Sequence, residues 1–264
     1  MKIYRVNEIK EKIREIGIKK DDTIFINPET YKLGILENIN FHNKVYECFY
    51  NVIKEIIGPK GTISINSYSF ETLRHLKRFN YNSTKTTCGG FSNYILSLKQ
   101  TVRSNHPVFS VSSIGYNSKF ISQGNSLSNY GYSSPYEKFL RLNGKILSLG
   151  RNYWDNPYNH VAEFMIGVPY YYNKFTNVPI IKNKKKIKKE YSSFVRYMNF
   201  ELISDYKKLK LELKKSKIIK SAKLGDDFVH SVNAKKYLEI CLKLLSKNQF
   251  CFINKKKYLR SNLS

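Results

Sequence analysis

Lys145-Ile146-Leu147-Ser148-Leu149-Gly150 is an apolar run that stops on glycine, and beyond a polar loop Pro157 opens a segment carrying His160, Glu163, Phe164 and Ile166. A short apolar run bounded by turn residues reads as a buried strand. Proline is tolerated in the first turn of a helix, where its missing N–H would have no partner anyway. Strand, loop, helix is the repeating unit of a layered α/β domain. The same signals continue on both sides. Val6, Ile9, Ile13 and Ile16 share a helical face that Gly17 ends, and Thr23-Ile24-Phe25-Ile26 follows as a strand. Phe41, Val45, Phe49, Val52 and Ile56 predict a helix ending near Gly58-Pro59, then Gly61 to Ile65 a strand, and Pro135 to Leu142 another helix. Downstream, Val178 to Ile181 and Ile187 to Tyr197 read as extended. Asp205 to Lys215 and Ala234 to Ser246 read as helices, and Phe250 to Ile253 as a closing strand.

This order predicts an α/β fold, a layered α/β/α domain around a central mixed sheet. No repeat or Pro-rich linker divides the chain, so residues 1–264 are expected to form a single domain. From about residue 171 it adds a more basic strand-and-helix portion packed on the same sheet. A hydrophobic fraction of 41% belongs to a globular chain. No apolar run approaches the ~20 residues of a membrane span. Met1 to Lys20 alternates charges with single isoleucines, unlike a secretory or transit segment, so the expected compartment is the cytoplasm.

Charge is the loudest compositional feature. The formal net charge is +26, and residues 181–264 hold 23 Lys and Arg against 7 Asp and Glu. Such a balance often marks nucleic-acid binding. Here the surplus is Lys, accompanied by many Ile, Asn, Tyr and Phe, a mixture that AT-rich coding bias produces by itself. No specific nucleic-acid partner is expected, although anionic small molecules should be attracted. Cys48, Cys88, Cys241 and Cys251 are scattered without ligand spacing, so no metal is expected. Cys88, in Thr87-Cys88-Gly89-Gly90, has no local base to make it a nucleophile.

Ligands of open α/β sheets bind beyond the strand ends, where loops gather. Polar loops follow the predicted strands at Asn27 to Thr30, Asn66 to Ser69, Arg103 to Ser110 and Gly150 to His160. His160, just inside a helix, would feel the positive end of the helix dipole, which favours the neutral imidazole that a general base needs. Glu163 lies three residues on, near the same face. For a lone His, capping or packing is the commoner role. His42, His75 and His230 have no supporting neighbours. By themselves these residues predict an α/β enzyme with a polar cleft and go no further.

At the same loops a family resemblance is visible. Arg103-Ser104-Asn105-His106-Pro107, then Ser110 and Gly115, resembles the Arg-Ser-x-His-Pro-x-x-Ser segment of the aminoglycoside 3-N-acetyltransferase family. Gly131 to Tyr136 and Asn143 to Gly150 follow in the family's order, and Asn159-His160-Val161-Ala162-Glu163 is similar to its His-x-x-Glu segment. Asp22 to Ile26 with Leu33-Gly34, and Gly61 to Ser69, resemble its first two strand-and-loop pieces. The likeness covers about residues 6–170. Asn27-Pro28-Glu29 departs from the His-Ser-Ser-like segment frequent in the family, and Asn66 stands where a Pro often does.

The resemblance implies acyl transfer from acetyl-coenzyme A to an amine without a covalent enzyme intermediate, with His160 as general base. A later carboxylate would orient this His, and Glu190 is the nearest by spacing. Ser69, Arg103, His106, Ser110 and Ser134 would cradle the cofactor, and Glu29 and Asp155 would meet the substrate. A homo-oligomer is compatible with this reading. Aminoglycosides are polycations, and 46 Lys and Arg against 20 Asp and Glu are a poor match for them. The expected acceptor is therefore an amino sugar, free or nucleotide-linked, for surface polysaccharide biosynthesis. The alternatives are an aminoglycoside-modifying enzyme and a non-catalytic polyanion- or nucleic-acid-binding protein.

Overall fold

Ile24 and Ile26 face one side of their strand and Phe25 the other, as the two-residue period of a strand requires. The computed structural model, which describes residues 1–39, 41–74, 78–197 and 201–255, shows what each side meets. Ile24, Ile26, Ile63, Ile65, Leu147 and Leu149 pack with Ile9, Ile13, Phe49 and Ile53 from the helices Val6–Glu15 and His42–Ile57. Phe25 and Ile146 point the other way, into a second core with Tyr136, Tyr158, Val161 and Tyr237 from the helices Pro135–Arg141, Tyr158–Ile166 and Ala234–Lys247. Apolar residues on both faces force helices onto both, and this produces the α/β/α layering. Burying each large apolar side chain contributes roughly 1.5–3 kcal/mol.

The central sheet has seven strands, in the order Lys220–Leu224, Asp227–Asn233, Lys145–Leu149, Thr23–Pro28, Thr62–Asn66, Val111–Gly115 and Val102–Arg103. Thr23–Pro28 is parallel to both neighbours, with Phe25 level with Ile146 and with Ser64, while the outer pairings are antiparallel. The sheet is mixed. Its three parallel strands end on one edge, at Pro28, Asn66 and Leu149. Gly150 turns away there with φ +65°, and a Cβ on it would lie 2.6 Å from the Glu29 carbonyl oxygen. Two strand-end loops thus press together at the place where ligands bind open sheets.

The basic C-terminal part joins this sheet through the hairpin of Lys220–Leu224 with Asp227–Asn233, which the sequence pattern did not announce as strands. A second hairpin, Tyr171–Thr176 with Tyr191–Arg196, stands apart from the central sheet. Ile180–Lys182 pairs with Lys185–Ile187, so the extended stretch expected from Ile187 to Tyr197 is two strands separated by a break. Phe250 to Ile253 is not a strand. It forms turns with a single bridge from Ile253 to Ser204, because no neighbouring strand offers it a ladder. Among the described residues no helix is long and apolar enough to cross a membrane.

Candidate active site

His160 sits in the first turn of the helix Tyr158–Ile166, directly after the strand-to-helix loop. Asn159 fixes that turn: its side-chain amide donates to the Trp154 carbonyl at 2.7 Å and its oxygen accepts from the Tyr237 hydroxyl at 2.7 Å. His160 Nδ1 lies 2.6 Å from Glu163 Oε2, and the Tyr170 hydroxyl donates to Glu163 Oε1 at 2.9 Å. Glu163 is 2% exposed and the His160 side chain 36%. A buried carboxylate with one oxygen already filled is a strong acceptor, so Nδ1 carries the proton and Nε2 keeps its lone pair. That tautomer is assigned from the hydrogen bonds.

The electrostatics reverse the expectation drawn from the helix dipole. Burial lowers the His160 pKa, but the charge and hydrogen bond of Glu163 together outweigh it, with Asp155 adding and Arg196 opposing, so the net direction is upward from 6.5. The imidazole is therefore protonated below that raised value and able to accept a proton as pH rises through it. Glu163→Gln removes the two raising contributions of the carboxylate and leaves burial dominant. The ascending limb of the pH–rate profile should then move to lower pH, with a smaller loss of rate than removal of His160 itself. An ascending limb that stays in place would show that Glu163 does not tune this group.

Two cavities meet at His160, Asp155 and Phe70. One, of about 250 Å³, is the more polar of the two, with Asn27, Asn66, Thr87, Arg151 and Asn156 beside Ile26, Ile65 and Cys88 in its wall. The other, of about 720 Å³, is largely aromatic, with Phe109, Tyr130, Trp154, Tyr171 and Phe194 among its lining residues. A base at the junction of two compartments suits a reaction between two substrates. Burial raises the pKa of the Cys88 thiol, and its sulfur accepts from Tyr68 N at 3.3 Å, so it is held as a protonated thiol. Among the described residues no cluster of three or more His, Cys, Asp or Glu is placed to hold a metal ion.

The remaining expected site residues fall into different places. Asp155 lines both cavities and pairs with Arg151 at 2.7 Å. Glu29 is engaged by Lys32 and, at 3.3 Å, by Arg151, and it lines neither cavity. Glu190 is exposed and does not orient His160. Glu163 does, because residues three apart share a helix face. His230 bonds the Ser221 hydroxyl at 2.7 Å on the edge hairpin, and His75 lies outside the described residues.

The residues expected to cradle the cofactor make their side-chain contacts within the protein. Ser69, Arg103, His106, Ser110 and Ser134 are all buried within the loops they belong to, with their polar atoms turned onto protein. Arg103, 3% exposed, donates to Ser110 Oγ at 2.9 Å, Ser67 O at 2.7 Å, Ser69 Oγ at 2.8 Å and Thr84 O, and rests on the Phe79 ring. Ser134 caps the helix Pro135–Arg141. His106, 4% exposed, accepts from Val108 N and Phe109 N on Nδ1 and donates from Nε2 to Ser192 O at 3.2 Å. None of the five lines either cavity at His160.

Burial pushes the His106 pKa down to about 4, against a raising contribution from Ser192. In the unfolded chain it takes a proton near 6.5, in the folded chain only near 4. Its contribution is therefore complete above 6.5 and is lost as pH falls toward 4, up to about 3 kcal/mol. Urea unfolding at neutral pH and at the acid end of that window should show this loss, and His106→Asn should flatten it. Equal slopes in the two proteins would refute the assignment.

Sequence reasoning missed Tyr170, Tyr171, Tyr130 and Arg196. They carry no motif and reach the site only through packing.

A sequence model of the family described as aminoglycoside 3-N-acetyltransferase matches residues 36–246. Aminoglycoside N(3)-acetyltransferase III of a Salmonella species and that of Acinetobacter baumannii are each 24% identical to the chain over 179 residues. Those alignments cover 61% of this chain and 60% of each relative, so the chain spans less than two thirds of their length. Among solved structures, AAC-IIIb in its binary complex with CoASH has a TM-score of 0.78 at 17% identity, covering 93% of this chain and 97% of that one. Aminoglycoside acetyltransferase AAC(3)-Xa has a TM-score of 0.79 at 14% identity, with 93% of each chain covered. The YokD protein from Bacillus subtilis has a TM-score of 0.73 at 19% identity, covering 92% and 99%. At these identities the likeness is one of fold.

Proposed function

Because this chain belongs to the aminoglycoside 3-N-acetyltransferase family, we propose that it transfers an acetyl group from acetyl-coenzyme A to an amine of an aminoglycoside. The observation that carries the reading is the His160–Glu163 pair at the meeting point of two cavities. His160 Nε2 accepts a proton from the amine as nitrogen bonds to the acyl carbon and the carbon–sulfur bond breaks, and the same proton can pass to the departing sulfur. Glu163 keeps Nδ1 protonated and stabilises the imidazolium between those two events. Tyr170 holds the carboxylate in place. The whole chain acts as one acyltransferase domain in the cytoplasm.

The expectation of a nucleotide-linked amino sugar for surface polysaccharide biosynthesis is corrected. The family match over residues 36–246 and the named curated relatives point to aminoglycosides. That expectation rested on net charge, yet charges farther apart than ~8–10 Å are largely screened at ordinary salt. The sum of 46 and 20 charges over a whole chain therefore says little about one cleft.

The test is direct. Purified protein is given acetyl-coenzyme A with each of several aminoglycosides and with simple amines, and free thiol release is followed. Thiol release that depends on an aminoglycoside, with acetylated drug recovered, supports the reading. Release with none of them defeats it.

A further inference from the structure

The two cavities at His160 differ in charge as well as size. The helix Gly90–Ser97 begins beside the polar cavity, whose wall includes Cys88 and Ser92. The free N–H groups and positive dipole of its first turn lie there. Ser92 Oγ, in that turn, is buried and has no hydrogen-bond partner among the described residues. Gly89 has φ +92° and nothing within 4 Å of an added Cβ, so a ligand can come close to the backbone. Donors without partners suit the carbonyl and phosphate oxygens of an acyl donor, which assigns the polar cavity to coenzyme A. The aromatic cavity is left for the acceptor, whose sugar rings its walls can cover.

That cavity is cationic. Lys174 and Arg196, from the two strands of the separate hairpin, line it, and neither side chain makes a hydrogen bond or ion pair among the described residues. Lys210 Nζ sits 3.8 Å from the ring centroid of Trp154 in its wall. Asp155, the only carboxylate in the lining among the described residues, is already paired with Arg151. Glu163 is occupied by His160 and Tyr170.

We propose that Lys174 and Arg196 act as a charge filter on the acceptor, excluding ligands in proportion to their ammonium groups. This rests on the acyl-transfer reading above and narrows its substrate class: within the aminoglycosides, those with the fewest amines are favoured. A cavity of about 720 Å³ is about one Debye length across, so each ammonium inside it lies within range of both side chains, of half-buried Lys174 and of exposed Arg196, whose field salt weakens.

Trp154 is the only tryptophan of the chain and lines this cavity, so its fluorescence reports occupancy without any need for turnover. The experiment titrates sisomicin, glucosamine and coenzyme A into wild type, Lys174→Glu and Arg196→Glu, each confirmed folded by circular dichroism, and measures thiol release in parallel. Each reversal is expected to tighten sisomicin about tenfold, to change glucosamine much less, and to leave coenzyme A affinity unaltered. The sisomicin gain should shrink as salt is raised. Unchanged sisomicin binding in both variants overturns the filter, and so does a collapse of coenzyme A affinity, which would give this cavity to the donor. Sisomicin that binds and responds to charge reversal without releasing thiol would uphold the filter while defeating the proposed reaction.

Discussion

Replacing His160 by Ala is expected to lower turnover about 10²–10⁴-fold while the protein stays folded. The imidazole stands at the cavity junction with Nε2 left to accept a proton, since Glu163 holds its Nδ1–H at 2.6 Å. An attacking amine must lose a proton as it acylates, and without a positioned base that proton must go to water. The side chain is 36% exposed, so its removal opens no core void. Its helix turn remains anchored through Asn159 to Trp154 and Tyr237. What does suffer is Glu163, left as a buried carboxylate with only the Tyr170 hydroxyl, so a modest loss of stability should accompany the loss of rate. The KM for acetyl-coenzyme A should hardly move. Thiol-release kinetics with a thermal melt of the same variant decide the matter. A folded variant with wild-type turnover would remove His160 from the mechanism.

The second large effect concerns a residue that lines neither cavity at His160. Arg103→Ala should destabilise the protein by at least about 1–3 kcal/mol, the cost of leaving even one buried acceptor unpaired. The guanidinium is almost completely buried, and its donors are spent on Ser67 O, Ser69 Oγ, Ser110 Oγ and Thr84 O. Burial pulls its pKa down to about 10, which still leaves it a cation at neutral pH. Truncation would strand acceptors from three separate loops and empty the space above the Phe79 ring. Lysine restores the charge but not the planar fork, so Arg103→Lys should recover only part of the loss. Asn66 and Tyr68 in the adjoining segment line the polar cavity, so activity should fall with stability in both variants. Denaturant unfolding of the three proteins provides the measurement. An alanine variant as stable as wild type would mean that these loops hold without their central cation.

Some of this molecule was legible in its sequence because the signals are local. The alternation in Ile24-Phe25-Ile26 and in Ile146-Leu147 forces opposite faces, and helical spacing on either side supplies the covering layers. The His160–Glu163 pair was readable for the same reason: a separation of three on a helix makes the contact wherever that helix lies. The basic tail was countable too, although Lys256 and Lys257 lie outside the described residues.

Other features waited for the fold, because they depend on partners far along the chain. Arg103, Ser69 and Ser110 look like anion ligands in a polar loop. They become structural only when loops from residues 67–69 and 84 close over them, with Ser67 and Ser110 in contact across 43 residues of sequence. Phe250 to Ile253 has the composition of a strand and, among the described residues, only a single bridge to Ser204, whereas Asp227–Asn233 found a strand partner in Lys145–Leu149. Glu190 fits by spacing and misses in space. The sequence by itself determined the layers and the contact between His160 and Glu163, since both follow from the periods of helix and strand. The tertiary structure alone decided which polar side chains line the cavities at His160 and where Lys174 and Arg196 stand, since a polar group turns inward only if distant backbone arrives to satisfy it.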